Sequence, residues 1–347
     1  MHMVHGRAQH YAWGDTSAIP DMVGEQSDGR PWAEWWMGTH PLAPSTIDDG
    51  SPLQSIAGEL PYLLKLMAAA QPLSLQTHPD HLRAESGYER EEQLGIARDS
   101  PQRTYRDRFA KPEMLCALTT FDTLCGFRRI DDTVALLDDI EAHDLAKLLQ
   151  HEKLAATVEA VYRRQFDITS TIAACRRHDG VEAALVTELA RAYPDDPSVA
   201  VTLLLNRVLL GPGDAVFLGP GNLHAYLRGF GVEVMASSDN VVRGGLTVKH
   251  VDVEELLDVL DFEPLEQPVV HAVESEPGWW RYPTPHTPFA VSRCEIRAGA
   301  RRRHQAVGRE LVLFVSGARR GECQFLADGE SANLAGPASI FVVQEPI

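Results

Sequence analysis

The stretch Leu73–Asp80, LSLQTHPD, sets Ser74, Gln76 and His78 two residues apart, with Leu73, Leu75 and Thr77 between them. A strand turns successive side chains to opposite faces, so this spacing aims a hydroxyl, an amide and an imidazole at one place. Pro79 has no N–H to give to a sheet ladder and ends the run. The ordinary meaning of a polar stripe on a strand is the wet face of a half-buried sheet. An imidazole beside an amide oxygen is also half of a metal site, and it lacks a carboxylate and a second histidine.

Periodicity divides the rest of the chain. Residues 4–50 are punctuated by Gly, Pro and aromatic residues and read as short strands and loops, with Glu34 on a strand in WAEWWMGTHP. Trp13, Trp32, Trp35 and Trp36 are read as core. Pro61–Met67 is apolar apart from Lys65, a charge that must reach water or meet an anion. His81–Gly95 is charged and helix-like, a solvated face. Glu113 follows Pro112 at the start of an apolar run, where a lone carboxylate is expected at the surface.

From Ile130 to about Tyr193 apolar residues recur at helical spacing, and a further helix is predicted at Val199–Leu209. His143 and His151 in this block find no partner at ligand spacing and read as solvent-facing. Strand patterns return at Gly213–Gly219, and His224 stands near the start of the next strand after a Gly/Pro turn. A short helix, VEELLDVLD, leads into strand-length runs at regular spacing, which predict a second β-barrel or sandwich.

Length and composition set limits. A chain of 347 residues with 44% apolar side chains holds two or three units with sizeable cores. The formal net charge of −17 repels polyanions, so no nucleic acid and no membrane surface is expected as a partner. An anionic substrate therefore needs a local cluster of Lys and Arg. Cys116, Cys125, Cys175, Cys294 and Cys323 are odd in number, widely spaced and without a CxxC, which suits free thiols and gives no thiolate metal site. The N-terminus lacks an apolar signal core and no run of about 18 apolar residues occurs, so a soluble cytoplasmic protein is expected.

Six blocks occur in order: YAWG (Tyr11–Gly14), WMGTHP (Trp36–Pro41), LSLQTHPD, KPEM (Lys111–Met114), GNLHAY (Gly221–Tyr226) and ASSDNVVRGGLTVKHVD (Ala236–Asp252). From about residue 4 to residue 265 the chain resembles type I mannose-6-phosphate isomerase (phosphomannose isomerase), a zinc enzyme family of the cupin superfamily. The resemblance implies a mainly β fold of two cupin-like barrels with a helical insert. Residues 1–129 and 200–262 would form the catalytic barrel, 130–199 the insert and 263–347 the second barrel. It implies one Zn²⁺ per chain on Gln76, His78, Glu113 and His224, which completes the half-site, and a catalytic arginine at Arg243. Lys65, Ser74, Lys111, Tyr226, Glu233 and Asp239 fall around the sugar phosphate, and a monomer is expected.

The chain also departs from the family pattern. Ala110 stands where many relatives carry His, so a proton-transfer role at that position is lost here. Val248 replaces a common Pro, and His81 stands where Lys is usual. Relatives continue past the point corresponding to Ile347, so a clipped last barrel is expected.

The implied reaction is the interconversion of mannose 6-phosphate and fructose 6-phosphate, in which a proton moves between C1 and C2 through an enediol. Its barrier is the acidity of a C–H beside a carbonyl and the charge on the developing enediolate oxygen. Two imidazoles, an amide oxygen and a carboxylate leave a zinc ion with an open position, whereas all-Cys sites are closed and structural. Arg243 suits charge stabilisation because a guanidinium stays protonated and donates in a planar fork. Lys65 and Lys111 can supply the positive field for a phosphate, and Asp239 and Glu233 are the acid–base candidates. Two other readings are a cupin oxygenase, against which the Gln-x-His pair counts, and a sugar-phosphate sensor that kept the pocket without turnover.

Overall fold

The alternating and wholly apolar runs become strands of antiparallel sheets in the computed structural model, which describes residues 2–346 and is mainly β. The larger sheet is organised on one long strand, His224–Ala236. Its first half pairs with Leu75–Thr77 and Phe121–Phe127, its second half with Tyr62–Ala69 and Glu113–Ala117. Gly229 sits at the changeover with φ of 146°, and a Cβ there would lie 2.6 Å from the Phe121 ring. Glycine alone lets the strand bend this closely past its neighbour. Tyr62–Ala69 is buried at all eight positions, as a continuous apolar run requires, and Lys65 is buried with it.

The helical spacing is realised as Ile130–Asp139, His143–Tyr162, Thr169–Cys175 and Val181–Ala192. Leu137, Leu149, Val158 and Leu189 from these helices share one core with Leu75, Leu124, Leu223 and Ala225 of the sheet. The helical layer thus braces the strands that carry Gln76 and His224. His143 and His151 face solvent.

The helix expected at Val199–Leu209 stops early. Ser198–Val201 is helical, Thr202–Leu204 is a 3₁₀ turn, and Leu205–Leu210 is a strand paired with Phe121–Phe127. Cross-strand partners decide it, because Arg207 meets Asp122 at 2.6 Å and Asn206 donates to the carbonyls of Phe127 and Leu265. Those contacts outweigh a helix propensity worth only tenths of a kcal/mol per residue.

The second sheet has eight strands, six of them after residue 272. His2–His5 and Thr46–Ile47 complete its far edge, so the start of the chain joins the sheet built by its end. The two sheets meet in a shared core where Leu64, Leu66, Val232 and Val234 pack with Leu311, Leu313, Phe341 and Val343. The Tyr62 hydroxyl spans this seam, 2.9 Å from the Val343 carbonyl and 3.1 Å from that of Arg309. All five cysteines are free and buried. Among the described residues no helix is long and apolar enough to cross a membrane.

Tyr62→Phe removes the one donor that serves both carbonyls. We expect a loss of about 1–2 kcal/mol, the scale for one buried hydrogen bond. The midpoint of denaturant unfolding reads it directly, and an unchanged midpoint would show that the seam does not depend on this hydroxyl.

Candidate metal centre

His78, Glu113 and His224 come from distant parts of the chain and place one ligating atom each within 4.8 Å of the others. Sheet register brings them there. Glu113 opens its strand opposite Leu218 on one side and Met235 on the other. His224 opens the long strand opposite Gln76, and Gln76 in turn stands opposite Arg243. Directly paired residues of antiparallel strands share a face, so His224, Gln76 and Arg243 form one row across three strands. His78 lies just past the Leu75–Thr77 strand, where its carbonyl accepts from the Gly221 N–H at 2.9 Å.

Glu113 is only 3% exposed, against the surface position expected for it. What it meets inside explains the burial. Its Oε1 lies 3.3 Å from His78 Nε2 and 2.9 Å from Lys111 Nζ, and its Oε2 lies 3.6 Å from His224 Nε2. Burial works against the charge, but the Lys111 ammonium holds the Glu113 carboxyl well below the usual carboxylate range. Burial lowers the His78 pKa to about 4, so this imidazole is neutral at pH 7.

The protons can be placed. His78 Nδ1 is 2.8 Å from the Asn240 carbonyl and His224 Nδ1 is 2.9 Å from the Asn222 carbonyl. A carbonyl only accepts, so each Nδ1 carries a hydrogen, and each ring in its neutral form turns an Nε2 lone pair toward Glu113. Both Nε2 atoms are buried without a hydrogen-bond partner. Three acceptors thus face one another in a buried pocket, an arrangement that a cation between them satisfies and nothing else on these side chains does. Two oriented imidazoles, a carboxylate and the Gln76 amide in the same row make a borderline donor set of the kind zinc takes.

A second row holds other expected residues. Trp36 pairs with Lys65 and Lys65 with Glu233. The Lys65 ammonium lies 2.9 Å from Glu233 and 3.7 Å from Glu34, and it sits over the Trp36 ring at 5.3 Å. Burial opposes its charge, but Glu233, Glu34 and Glu113 together raise the Lys65 pKa. Burial also raises the pKa of Glu233. The Tyr226 hydroxyl is enclosed beside Glu233. Ser74 is half-buried at the edge of the Gln76 strand. Asp239 keeps 29% of its side chain exposed and lies 3.5 Å from His40 Nε2.

Several groups carry no distinctive sequence signal. His40 and Glu34 are buried beside the expected residues, yet WMGTHP marks them only as parts of a block. The carbonyls of Asn222 and Asn240 aim the two imidazoles, and a backbone oxygen has no signature in the sequence. Arg106 and Lys249 lie within electrostatic reach of Arg243. Burial and then Arg106 lower the Arg243 pKa, and burial, Arg243 and Arg106 lower that of Lys249. Among the described residues no carboxylate forms an ion pair with any of these three cations.

Known proteins give this geometry its context. The family described as phosphomannose isomerase type I, catalytic domain, matches residues 1–130. The mannose-6-phosphate isomerase of Salmonella typhimurium is 36% identical over 321 residues, which cover 82% of this chain and 81% of that protein. The human mannose-6-phosphate isomerase is 31% identical, covering 74% of this chain and 72% of its own. A crystal structure of the Salmonella typhimurium enzyme bound to its substrate, fructose 6-phosphate, and to zinc superposes with a TM-score of 0.87 at 31% identity, covering both chains completely. At that similarity over that length, the chain belongs to the type I phosphomannose isomerase family.

Proposed function

We propose that this protein interconverts mannose 6-phosphate and fructose 6-phosphate with one zinc ion per chain, held by Gln76, His78, Glu113 and His224. The observation that carries the reading is the buried meeting of Glu113 with the unpartnered Nε2 atoms of His78 and His224, the latter in one row with Gln76 and Arg243. When bound, the ion supplies a Lewis acid with an open position.

The protein's own groups divide the remaining work. Arg243 stands next to Gln76 and stabilises the charge that develops on the enediolate oxygen as the proton moves between C1 and C2. Asp239 is the better placed of the two acid–base candidates, because it is partly open while Glu233 is enclosed and paired with Lys65. Lys65 and Lys111 already neutralise buried carboxylates, so they orient the sugar end with Ser74 and Tyr226 and are poor choices for the phosphate. Arg106 and Lys249, cations without a carboxylate partner beside Arg243, hold the phosphate.

The same reading extends to the architecture. We read the two large sheets as two cupin-like barrels: residues 1–129 and 200–262 supply most of the catalytic one, 130–199 a helical insert, and 263–347 most of the second, to which His2–His5 and Thr46–Ile47 add the far edge. We take the protein as a cytoplasmic monomer without nucleic-acid or membrane partners. Five buried free cysteines and a net charge of −17 support that assignment.

An assay that couples fructose 6-phosphate formation from mannose 6-phosphate to a reporter tests the function. Activity should vanish after chelation and return with Zn²⁺. A fully metal-loaded protein without turnover would refute the isomerase reading. Metal analysis of His224→Ala should show strong loss of zinc, and full stoichiometry in that variant would remove His224 from the ligand set.

Steady-state kinetics separate the cations. Arg243→Ala should lower kcat by roughly two to three orders of magnitude with little change in KM, the scale for one preorganised donor. Lys249→Ala should raise KM about tenfold at nearly constant kcat, the scale for losing one charged contact. The opposite pattern in the pair would exchange their roles.

A further inference from the structure

Asn240 is fully buried, and its side chain is spent entirely on one neighbouring loop. Its Oδ1 accepts from the N–H groups of Arg106 at 2.7 Å and Asp107 at 3.2 Å. Its Nδ2 donates to the carbonyls of Asp107 and Phe109, both at 2.9 Å. Loop 106–109 answers in kind. Asp107 accepts from the Asp239 N–H at 2.8 Å and from the Ser238 hydroxyl at 2.9 Å. Two short segments, 238–240 and 106–109, therefore clasp each other through reciprocal side-chain to backbone bonds.

Each segment leads to a different part of the site. The Asn240 carbonyl takes the Nδ1 hydrogen of His78 and so points the opposite lone pair at Glu113. Loop 106–109 carries Arg106 and runs straight into Lys111 and Glu113. An asparagine is the side chain that fits, since it offers one acceptor to two N–H groups and two donors to two carbonyls.

We infer that Asn240 is a positioning residue that sets the metal donors and the phosphate-binding Arg106 in register with one another. The Arg106 half of this inference rests on the isomerase reading above. The metal half rests on the His78 contact alone. Asn240→Asp is the sharpest variant, because it keeps the shape and the acceptor while turning both donated bonds into oxygen–oxygen repulsions.

The test measures two constants on the full chain: the zinc dissociation constant, by competition with a chromophoric chelator, and KM for mannose 6-phosphate at saturating zinc. Asn240→Asp should weaken zinc about 10- to 100-fold, the scale for losing the group that orients a histidine ligand. KM should rise about tenfold, with kcat at saturating zinc and substrate within about threefold of wild type. Thr157→Val is the control, since it deletes a buried hydroxyl bond in the helical layer and should leave both constants at the wild-type values. If Asn240→Asp loses stability while either constant stays at wild type, the inference is overturned and Asn240 is a structural residue only. Should Asn240→Asp fail to fold, Asp107→Asn disturbs the other half of the same clasp and is judged by the same two constants. If the wild type binds zinc yet turns over no mannose 6-phosphate, the functional reading fails, and the zinc constant alone decides the role of Asn240.

Discussion

A carboxylate and two imidazole lone pairs pressed together in a buried interior repel one another, and much of this molecule serves to hold them there. None of the three side chains can turn away. Glu113 is fixed by strand pairing on both sides, and each histidine is tethered through Nδ1 to a backbone carbonyl. The Lys111 ammonium relieves part of the repulsion at one oxygen of Glu113. The remainder is what gives the site its affinity for a cation. A pocket whose donors are aimed before the ion arrives loses little conformational entropy on binding it.

The rigidity comes from the strand His224–Ala236, which pairs with four others along its length and changes partners at Gly229. Because of that changeover, the His224 end belongs with Gln76 and Arg243 while the other end carries Glu233 against Lys65. Two rows of polar side chains, one for a metal and one already neutral, thus lie on a single element. A slip of one residue in its pairing would send every one of them to the opposite face. The helical layer guards against this, since it packs on Leu223 and Ala225, the residues flanking His224.

The alternation in LSLQTHPD set Gln76 and His78 together as an expected half-site; His78 meets Glu113 and His224 from just past the strand, while Gln76 pairs with His224 in register. Glu113 was not legible from its own surroundings. A glutamate after a proline at a strand start reads as surface, and only its long-range partners, which no local pattern encodes, explain why it is buried. It entered the expected set through the family blocks. The helical segment was readable from its apolar spacing up to Val201 and no further, since Leu205–Leu210 becomes a strand through partners some 80 residues earlier in the chain. The carbonyls that orient His78 and His224 left no trace in composition or periodicity.

Charge accounting separates the cations of the site more sharply than their positions in the sequence do. A cation buried in the framework is expected to meet a carboxylate, because an unpaired buried charge is costly. Lys65 and Lys111 follow that expectation, and their charge is committed to Glu233, Glu34 and Glu113. A phosphate brought to either lysine would have to compete with a carboxylate already in contact. Burial and Arg106 lower the proton affinity of Arg243, burial, Arg243 and Arg106 lower that of Lys249, and among the described residues none of the three cations has a carboxylate in contact. A dianion placed among them removes their mutual repulsion as well as gaining their attraction. The same phosphate beside Lys65 would add a third anion to the two carboxylates, Glu233 and Glu34, already in contact with that lysine. On the proposed isomerase reading, these charges favour the lysines for the buried framework and the Arg106–Arg243–Lys249 group for the substrate's charge.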